Sequence, residues 1–289
     1  MYRKPSLTLA IPCFNAEHSI QSTLDSIMSQ SHPPDEIVVV DDGSTDNSSD
    51  IIKHYHAVRL FSNTENKGIA CSRNTAWENA SCEIILFTDA DTILHPNLIE
   101  TVANGYHQDD IGGVGGRAIE RIQLNRNDRW RKEVLFQSWG NSAILNVPFL
   151  FGIVSSYRRS VLESLGGFDP FFKASGEDLD FGYRVHKTGY RLVYNPGAVV
   201  YHLRKDSRQS IEQMTYRHCL WGFLSQRKNL CFANKLSLGG YVHIFMKQIF
   251  SDGLFKKDLS YISFTLGLYI IVWQAWFKAK KMAQEFGWS

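Results

Sequence analysis

The amino-acid sequence predicts an α/β fold, with a mostly parallel sheet flanked by helices and a C-terminal helical extension. Apolar, strand-like runs alternate with helical patterns over the first 88 of the 289 residues. These runs are apolar on both faces, which is typical of parallel strands covered by helices on each side. The last ninety residues are basic and aromatic instead.

The elements of the first half follow one another in a regular order. Residues 7–11 (LTLAI) predict a buried strand, and residues 16–30 have helical spacing through Ile20, Leu24 and Ile27. The pattern then predicts a strand at 36–42, a helix at 44–55 that opens with capping residues, a strand at 58–63, a helix at 69–80 and a strand at 83–88.

The composition narrows the class of protein. A hydrophobic content of 44% and a charged content of 21% are those of a folded protein. A net charge of +2 gives no argument for nucleic acid, so we predict no nucleic-acid partner. Five widely spaced cysteines without a CxxC pair indicate reduced thiols: Cys13, Cys71, Cys82, Cys219 and Cys231. Because no signal-peptide segment precedes the first strand, we expect a cytoplasmic protein.

Three polar or acidic clusters follow predicted strands directly, at residues 12–17, 41–46 and 88–92. One such cluster is most simply explained as a turn or a helix cap. Three in succession favour a binding site, because the carboxyl ends of parallel strands meet at one edge of a sheet, where ligands gather.

The Asp89-x-Asp91 pair in the third cluster predicts a metal site. Side chains at i and i+2 of an extended segment point the same way, so the two carboxylates lie close together. Such oxygen pairs suit Mn²⁺ or Mg²⁺, and Mg²⁺ is usually held by one or two carboxylates together with substrate phosphates. We therefore expect a divalent cation and a phosphate-bearing ligand.

Six segments of the chain resemble, in order and rough spacing, the inverting glycosyltransferases of family 2. These are IPCFNAE, VVVDDGSTDNS, NKGIACSRN, FTDAD, GGFDPFFKASGEDLDFGYRV and AVVYH, which span about residues 6–205. The resemblance implies a GT-A fold, which is Rossmann-like, and a nucleotide-sugar donor. It divides the chain into a catalytic domain at 1–205 and a helical extension at 206–289.

The resemblance also implies a nucleotide site. Pro12, Phe14, Asn15 and Glu17 would border the nucleotide after the first strand. Asp42 would accept a hydrogen bond from the base, which we expect to be the uracil of UDP. The planar guanidinium of Arg73 would stack on the base or contact the diphosphate.

The catalytic centre is implied in the same way. Asp89 and Asp91 would bind the metal and, through it, the nucleotide, with His202 as a third protein ligand. Asp178 would be the catalytic base, with Glu177 beside it. Because one base and no covalent intermediate give a single displacement, the anomeric configuration would be inverted.

Each assignment has a simpler alternative. Asp178 and its acidic neighbours also suit the first turn of a helix, where the helix dipole favours negative charge. His202 could be a structural histidine, and Arg73 a surface ion-pair partner. Asp41 is expected to order its turn. Trp139 suits an acceptor cleft as well as a core position.

Two departures from family patterns limit the expected activity. Residues 212–221 lack the Q-x-x-R-W motif of processive polysaccharide synthases, which favours transfer of a single sugar to a glycan or lipid-linked hydroxyl. The segment after the first strand lacks the Gly-rich basic loop of a nucleotidyltransferase, which remains a weaker alternative. A non-catalytic nucleotide-sugar-binding or scaffold protein is a further alternative.

The C-terminal extension predicts contact with a membrane or with a second copy. Residues 200–289 hold 13 Lys/Arg and 5 Asp/Glu, and 211–229 form a basic amphipathic pattern. Residues 261–277 are uncharged and precede Lys278, Lys280 and Lys281. We expect peripheral contact through 211–281 with the inner face of the cell membrane, with Trp273, Trp276 and Phe277 as anchors. A short transmembrane span and a buried homo-oligomer contact remain alternatives.

Overall fold

The computed structural model describes residues 4–229 and 259–288, which separate into two compact units. The first unit comprises the described residues up to Arg121 together with Gln137–Lys173 and Glu177–Arg204. The second comprises Ile122–Phe136, Ala174–Gly176 and the described residues from Lys205 onward. The four cysteines in the described part of the chain are free thiols, and Cys231 lies outside it.

The described residues form nine strands and nine helices. The strands are β1 (Leu7–Cys13), β2 (Glu36–Asp41), β3 (Val58–Ser62), β4 (Ile84–Thr88), β5 (Thr92–Leu94), β6 (Ile111–Glu120), β7 (Ile144–Leu145), β8 (Val154–Arg158) and β9 (Arg191–His202). The helices are α1 (Ile20–Met28), α2 (Ser48–Lys53), α3 (Ile69–Glu78), α4 (Leu98–Asn104), α5 (Arg126–Val134), α6 (Arg159–Leu165), α7 (Glu177–His186), α8 (Arg208–Asn229) and α9 (Leu259–Glu285).

One mixed sheet forms the centre of the first unit. Its strand order is β3-β2-β1-β4-β8-β6-β9-β5, and β7 pairs with β9. Strands β1 to β4 are parallel to their neighbours within this group, as the β-α alternation predicts. Beyond β4 the sheet changes direction, because β8 runs antiparallel to both β4 and β6. The predicted α/β fold class with flanking helices is confirmed, and its parallel pairs are those among the first four strands and the pair of β6 with β9.

Both faces of the sheet are buried. Leu9 and Ile11 of β1 pack with Leu24 and Ile27 of α1 on one face. On the other face, Ala10 packs with Val38 and with Ala70 and Ala76 of α3. Because alternate residues of β1 point to opposite layers, every residue of the strand is buried, which explains its continuous apolar run.

The first two predicted helices begin later than their sequence patterns. The helix expected at 16–30 begins at Ile20, and the helix expected at 44–55 covers Ser48–Lys53. The intervening residues are held by side chains: Thr45 N–H donates to Oδ1 of Asn15 at 2.9 Å, and Asn47 N–H donates to Oε2 of Glu17 at 3.0 Å. The two loops therefore bind each other instead of extending the helices.

The second unit is helical. Trp130 of α5 packs with Ile211 and Met214 of α8 and with Phe264 and Leu268 of α9 in one apolar cluster. The helix predicted at 211–229 is confirmed and begins earlier, at Arg208. The basic, aromatic segment 261–281 lies within α9. Residues 230–258 of the predicted membrane-contact range lie outside the described residues.

A buried polar network accompanies this cluster. Arg131, which is 2% exposed, forms an ion pair with Asp206, which is 3% exposed. Asp206 also donates its N–H to Oδ1 of Asp128 at 2.9 Å and accepts from Ser210 Oγ at 2.7 Å. The network fixes the chain where it enters α8.

One helix in the described part of the chain has the length and composition of a membrane span. It covers Tyr261–Glu285, and 33% of its most apolar 18-residue window is buried. Core helices of soluble proteins can share this composition, so composition alone does not separate the alternatives for this segment.

Replacing Asp206 by Asn should destabilise the second unit by about 3–5 kcal/mol, because the change removes one charge of a buried ion pair. Thermal and urea unfolding measure this change. Asp50→Asn is the matched control, since Asp50 pairs with Lys53 at a fully solvated surface site and its loss should leave the unfolding curve unchanged. Equal curves for the two variants would contradict a structural role for the buried pair.

Candidate active site

The three predicted clusters meet at one edge of the sheet. In the sheet β1 lies between β2 and β4, so the loops that follow these parallel strands emerge side by side. The register pairs Cys13 with Asp41 at the end of β1 and β2. The structure therefore brings together the segments 12–17, 41–46 and 88–92, as expected from their positions after the strands.

The first cluster combines an exposed ring with structural polar groups. Pro12 is buried within β1, whereas Phe14 is 47% exposed. Asn15 adopts a left-handed φ of 49°, which Asn tolerates better than most residues. Asn15 and Glu17 are partly occupied by their bonds to the second cluster. Their contact with a nucleotide, and that of Pro12 and Phe14, stays a prediction.

The second cluster holds the segment before α3. Oδ1 of Asp41 accepts the Ser44 N–H at 3.1 Å, which is the expected turn-ordering bond. Asp42 is 3% exposed and accepts hydrogen bonds from Asn63 Nδ2, Lys67 N–H and Gly68 N–H at 2.7, 3.0 and 2.8 Å. Three of about four acceptor positions are therefore used, and the predicted contact of Asp42 with a base would need the last.

Arg73 lies at the centre of the site. It is 2% exposed, with Nη1 2.5 Å from Glu177 Oε1 and Nη2 3.4 Å from Asp89 Oδ1. Its guanidinium carbon also lies 5.8 and 5.7 Å from the ring centres of Phe87 and Phe168. The ion pair of Arg73 with Glu177 is therefore buried, unlike the surface ion pair that was the simpler alternative for Arg73. This environment favours a role in positioning the acids, and contact of Arg73 with base or diphosphate stays a prediction.

Asp178 lies in the first turn of α7 with both carboxylate oxygens fixed. Gly152 N–H donates to Oδ2 at 3.0 Å, and Leu179 N–H donates to Oδ1 at 2.9 Å. Burial raises the pKa of Asp178 above its ordinary value, against the opposing effects of Arg73 and these bonds. A raised pKa strengthens a carboxylate as a proton acceptor. The helix-terminus role and the predicted base role are thus compatible.

The other acids of that turn are committed elsewhere. Glu177 is 4% exposed and pairs with Arg73, and burial raises its pKa. Asp180 is fully buried and accepts from Arg184 Nε at 2.8 Å. Asp178 alone of the three keeps partial exposure, so it is the acid of this turn that a substrate can reach.

The predicted metal ligands lie together. His202 Nε2 is 3.2 Å from Asp91 Oδ2, and His202 Nδ1 is 3.1 Å from Glu120 Oε1. These two carboxylates raise the pKa of His202 to about 10, against burial, which acts in the opposite direction. Burial also acts to raise the pKa of Asp91, but His202 and Arg204 outweigh it and the pKa is lowered. The pKa of Asp89 is raised by burial and by repulsion from Asp91 and Asp178.

The donor groups fit a divalent cation, although no group of three or more His, Cys, Asp or Glu in the described residues has the geometry of a formed metal site. Asp91 and His202 face each other, with Glu120 fixing the far ring nitrogen, as carboxylates do behind metal-binding histidines. The side chains of Asp89 and Asp91 are each 33% exposed. They can therefore share a cation with phosphate oxygens, as Mg²⁺ sites commonly do.

Two residues of the site were not assigned roles from the sequence. Glu120 ends β6, and its register with His202 exists only because β6 and β9 pair over 82 positions of sequence. Gly152 supplies the N–H that holds Asp178, and a Cβ at this position would lie 2.6 Å from both Nη atoms of Arg73. The sequence signals that could have indicated these two residues are the position of Glu120 at the end of a strand and that of Gly152 just before one.

The mixed α/β sheet flanked by helices is the GT-A glycosyltransferase fold. Residues 8–166, more than half of the chain, match the family model described as glycosyl transferase family 2. The chain belongs to this family, which confirms the predicted resemblance.

Curated relatives are also glycosyltransferases. The glycosyltransferase GlyA of Streptococcus pneumoniae serotype 4 is 26% identical over 78% of this chain and 34% of its own length. The O-antigen chain rhamnosyltransferase WbaN of Salmonella anatum is 26% identical over 68% of this chain and 66% of its own. The chain thus spans between about one third and two thirds of the length of these relatives.

Solved structures share the fold at low sequence identity. The mannosyltransferase PcManGT from Pyrobaculum calidifontis, in complex with GDP-Man and Mn²⁺, has a TM-score of 0.68 and 21% identity, covering 95% of this chain and 88% of that one. GalNAc-T7 with UDP, GalNAc and Mn²⁺ has a TM-score of 0.60 and 15% identity, covering 83% and 50%. The predicted fold is confirmed.

Replacing Gly152 by Ala should lower the turnover number about a hundredfold, because the new methyl group must displace Arg73 from Glu177 and Asp89. Steady-state sugar transfer measures this effect, and a thermal melt establishes that the variant is folded. Gly222→Ala is the control, since nothing lies within 4 Å of its added Cβ. Wild-type turnover in a folded Gly152→Ala protein would contradict the role of Arg73 as a positioning group.

Proposed function

We propose that the chain is a metal-dependent, inverting glycosyltransferase that moves a single sugar from a UDP-sugar to a hydroxyl of a glycan or lipid-linked acceptor. The observation that carries the proposal is a group of charges around Asp89: Arg73 pairs with Asp89, Asp91 pairs with His202, and the charges of Asp91, His202 and the partly exposed Asp178 all act on Asp89. Family membership supports sugar transfer as the reaction.

Asp178 would take the proton of the acceptor hydroxyl as that oxygen attacks the anomeric carbon. Its two backbone hydrogen bonds fix the carboxylate plane and leave further lone pairs for the incoming proton. Glu177 is poorly placed to attack the sugar as an enzyme nucleophile, because its Oε1 pairs with Arg73 and the side chain is buried. Of the three acids in this turn of α7, Asp178 alone is partly exposed, which supports direct displacement with inversion.

Asp89, Asp91 and His202 would hold Mn²⁺ or Mg²⁺. When bound, the cation would neutralise the negative charge that develops on the diphosphate leaving group. Glu120 keeps the His202 ring oriented, and Arg73 holds Asp89 at the site. Two structural neighbours contain Mn²⁺ together with GDP-Man or UDP, which supports this chemistry for the fold.

Polysaccharide biosynthesis is the setting that the relatives support. They include an O-antigen chain rhamnosyltransferase and the poly-β-1,6-N-acetyl-D-glucosamine synthase of Staphylococcus epidermidis, which is 24% identical over 68% of this chain and 50% of its own length. Although the second name describes a polymer synthase, residues 212–221 of this chain lack the Q-x-x-R-W spacing. This supports transfer of one sugar.

The Asp178→Asn variant should lose at least about a thousandfold in transfer rate, because the amide cannot accept the proton. Its affinity for UDP should stay near the wild-type value, as Asn preserves the shape of the side chain. Transfer assays with a panel of UDP-sugars and calorimetry with UDP measure the two quantities. The exposed Glu163→Gln variant serves as the control. Retained turnover in Asp178→Asn would assign the base to another residue.

UDP should bind more tightly when Mn²⁺ is present, and Asp91→Asn should abolish that difference. Glu120→Gln should weaken Mn²⁺ binding by about tenfold to a hundredfold, because the His202 ring loses its fixed orientation. Calorimetry and Mn²⁺ electron paramagnetic resonance measure binding without relying on turnover. Lys53→Gln, at the distant surface pair with Asp50, is a control. UDP affinity that is independent of metal in the wild-type protein would refute the metal site.

A further inference from the structure

Helix α9 has apolar residues on two opposite faces, and in the described part of the chain one of these faces is covered and the other is exposed. Its covered face includes Tyr261, Phe264, Leu268, Val272, Ala275 and Ala279, each at most 4% exposed. Its other face presents Leu266, Ile270, Trp273 and Phe277, which are 46%, 61%, 37% and 58% exposed. Their spacing of four, three and four residues places them in one row, here named the α9 stripe.

The α9 stripe is more than scattered surface hydrophobicity. Single exposed apolar residues are common on folded proteins. Four large ones aligned along one helix form a continuous patch, and such patches mark interaction surfaces. A binding partner of the α9 stripe is expected to match the chemistry of the residues around it.

The residues along the helix are ordered by polarity. Leu266 and Ile270 are aliphatic, and the rings of Trp273, Trp276 and Phe277 follow with centroids 5.0–6.0 Å apart. Exposed lysines come next, at 278, 280 and 281. Lys280 lies over the Trp276 ring at 5.6 Å. Large apolar side chains, tryptophan rings and lysines on the exposed side of one helix are the groups that a helix lying in the membrane interface presents to lipid.

The charge pattern favours lipid over a second copy of the chain. Residues 259–284 contain no Asp or Glu. In a symmetric contact through the α9 stripe, residues 259–284 of the other copy would therefore offer the lysines no acidic partner, whereas anionic headgroups would. We propose that the α9 stripe docks on the surface of an anionic membrane, with Lys278, Lys280 and Lys281 on the lipid phosphates.

The packing of α9 limits this contact to one leaflet. The face opposite the stripe is packed within the second unit and contacts Ile211 and Met214 of α8 in the apolar cluster. The helix thus lies against the membrane with one face and against protein with the other.

Membrane docking is independent of the catalytic proposal, because no stripe residue belongs to the candidate site. If both hold, the enzyme works where lipid-linked acceptors are found. The UDP and Mn²⁺ measurements test the catalytic site alone, and vesicle binding tests the stripe alone.

Flotation of the full-length chain with vesicles tests the proposal. The chain should bind vesicles of phosphatidylcholine mixed with phosphatidylglycerol, and bind pure phosphatidylcholine more weakly. The Ile270→Gln/Phe277→Gln variant should bind both at least about tenfold more weakly. Lys280→Gln/Lys281→Gln should lose about fivefold per lysine on the anionic vesicles only, and added salt should reproduce that loss.

Leu145→Gln is the matched control, because Leu145 is 59% exposed, like Ile270, but lies on β7 of the first unit. It should leave vesicle binding unchanged. Since all the altered side chains are exposed, a thermal melt should show folded variants. Unchanged vesicle binding by Ile270→Gln/Phe277→Gln would overturn the proposal. So would a wild-type dimer that ignores vesicles and that this variant converts to monomer in sedimentation velocity.

Alkaline carbonate extraction distinguishes a surface contact from a span. Release of the wild-type chain from anionic vesicles supports docking in one leaflet. Retention in the extracted membrane would show that α9 crosses the bilayer and would overturn the arrangement proposed here.

Discussion

The site depends on one buried guanidinium. Arg73 pairs with Glu177 and Asp89, and its charge also acts on Asp178. Without a cation among them, three carboxylates at this depth would repel one another and would be neutralised by protonation. Burying Arg73 is itself costly, and removing its partners would leave an uncompensated charge. The same contact joins α3, the end of β4 and the start of α7, so the packing of the fold and the charge state of the site have a common origin.

A second set of contacts orders the part of the site around His202. His202 ends β9, where it faces Thr92 of β5 and Glu120 of β6 in register. Leu203 N–H donates to the Asp91 carbonyl at 2.8 Å, and Arg121 N–H donates to the His202 carbonyl at 3.2 Å. Backbone bonds thus hold the histidine between its two carboxylates. The late part of the sheet places one imidazole beside an acid pair that the early part provides.

The sequence predicted what depends on local pattern. Strands β1 to β4 are continuous apolar runs, and each site cluster follows its strand directly, so their meeting at one edge could be inferred. The insertion of antiparallel β8 between β4 and β6 could not be inferred, because the pairing of strands that are distant in the sequence produces no local sequence pattern. The pairing of Arg73 with Glu177 spans 104 positions, and it too could not be inferred from the sequence pattern. The burial of Arg73 followed from this long-range contact.

The distribution of partners also explains why one acid of α7 suits the role of base. Glu177 and Asp180 are both nearly inaccessible and both paired with an arginine. Their negative charges are compensated within the protein, which makes them structural. Asp178 receives only backbone N–H groups at its two oxygens and remains partly exposed. Backbone donors fix the orientation of the Asp178 carboxylate without supplying a full counter-charge. The carboxylate therefore remains basic and can accept a proton from an incoming hydroxyl.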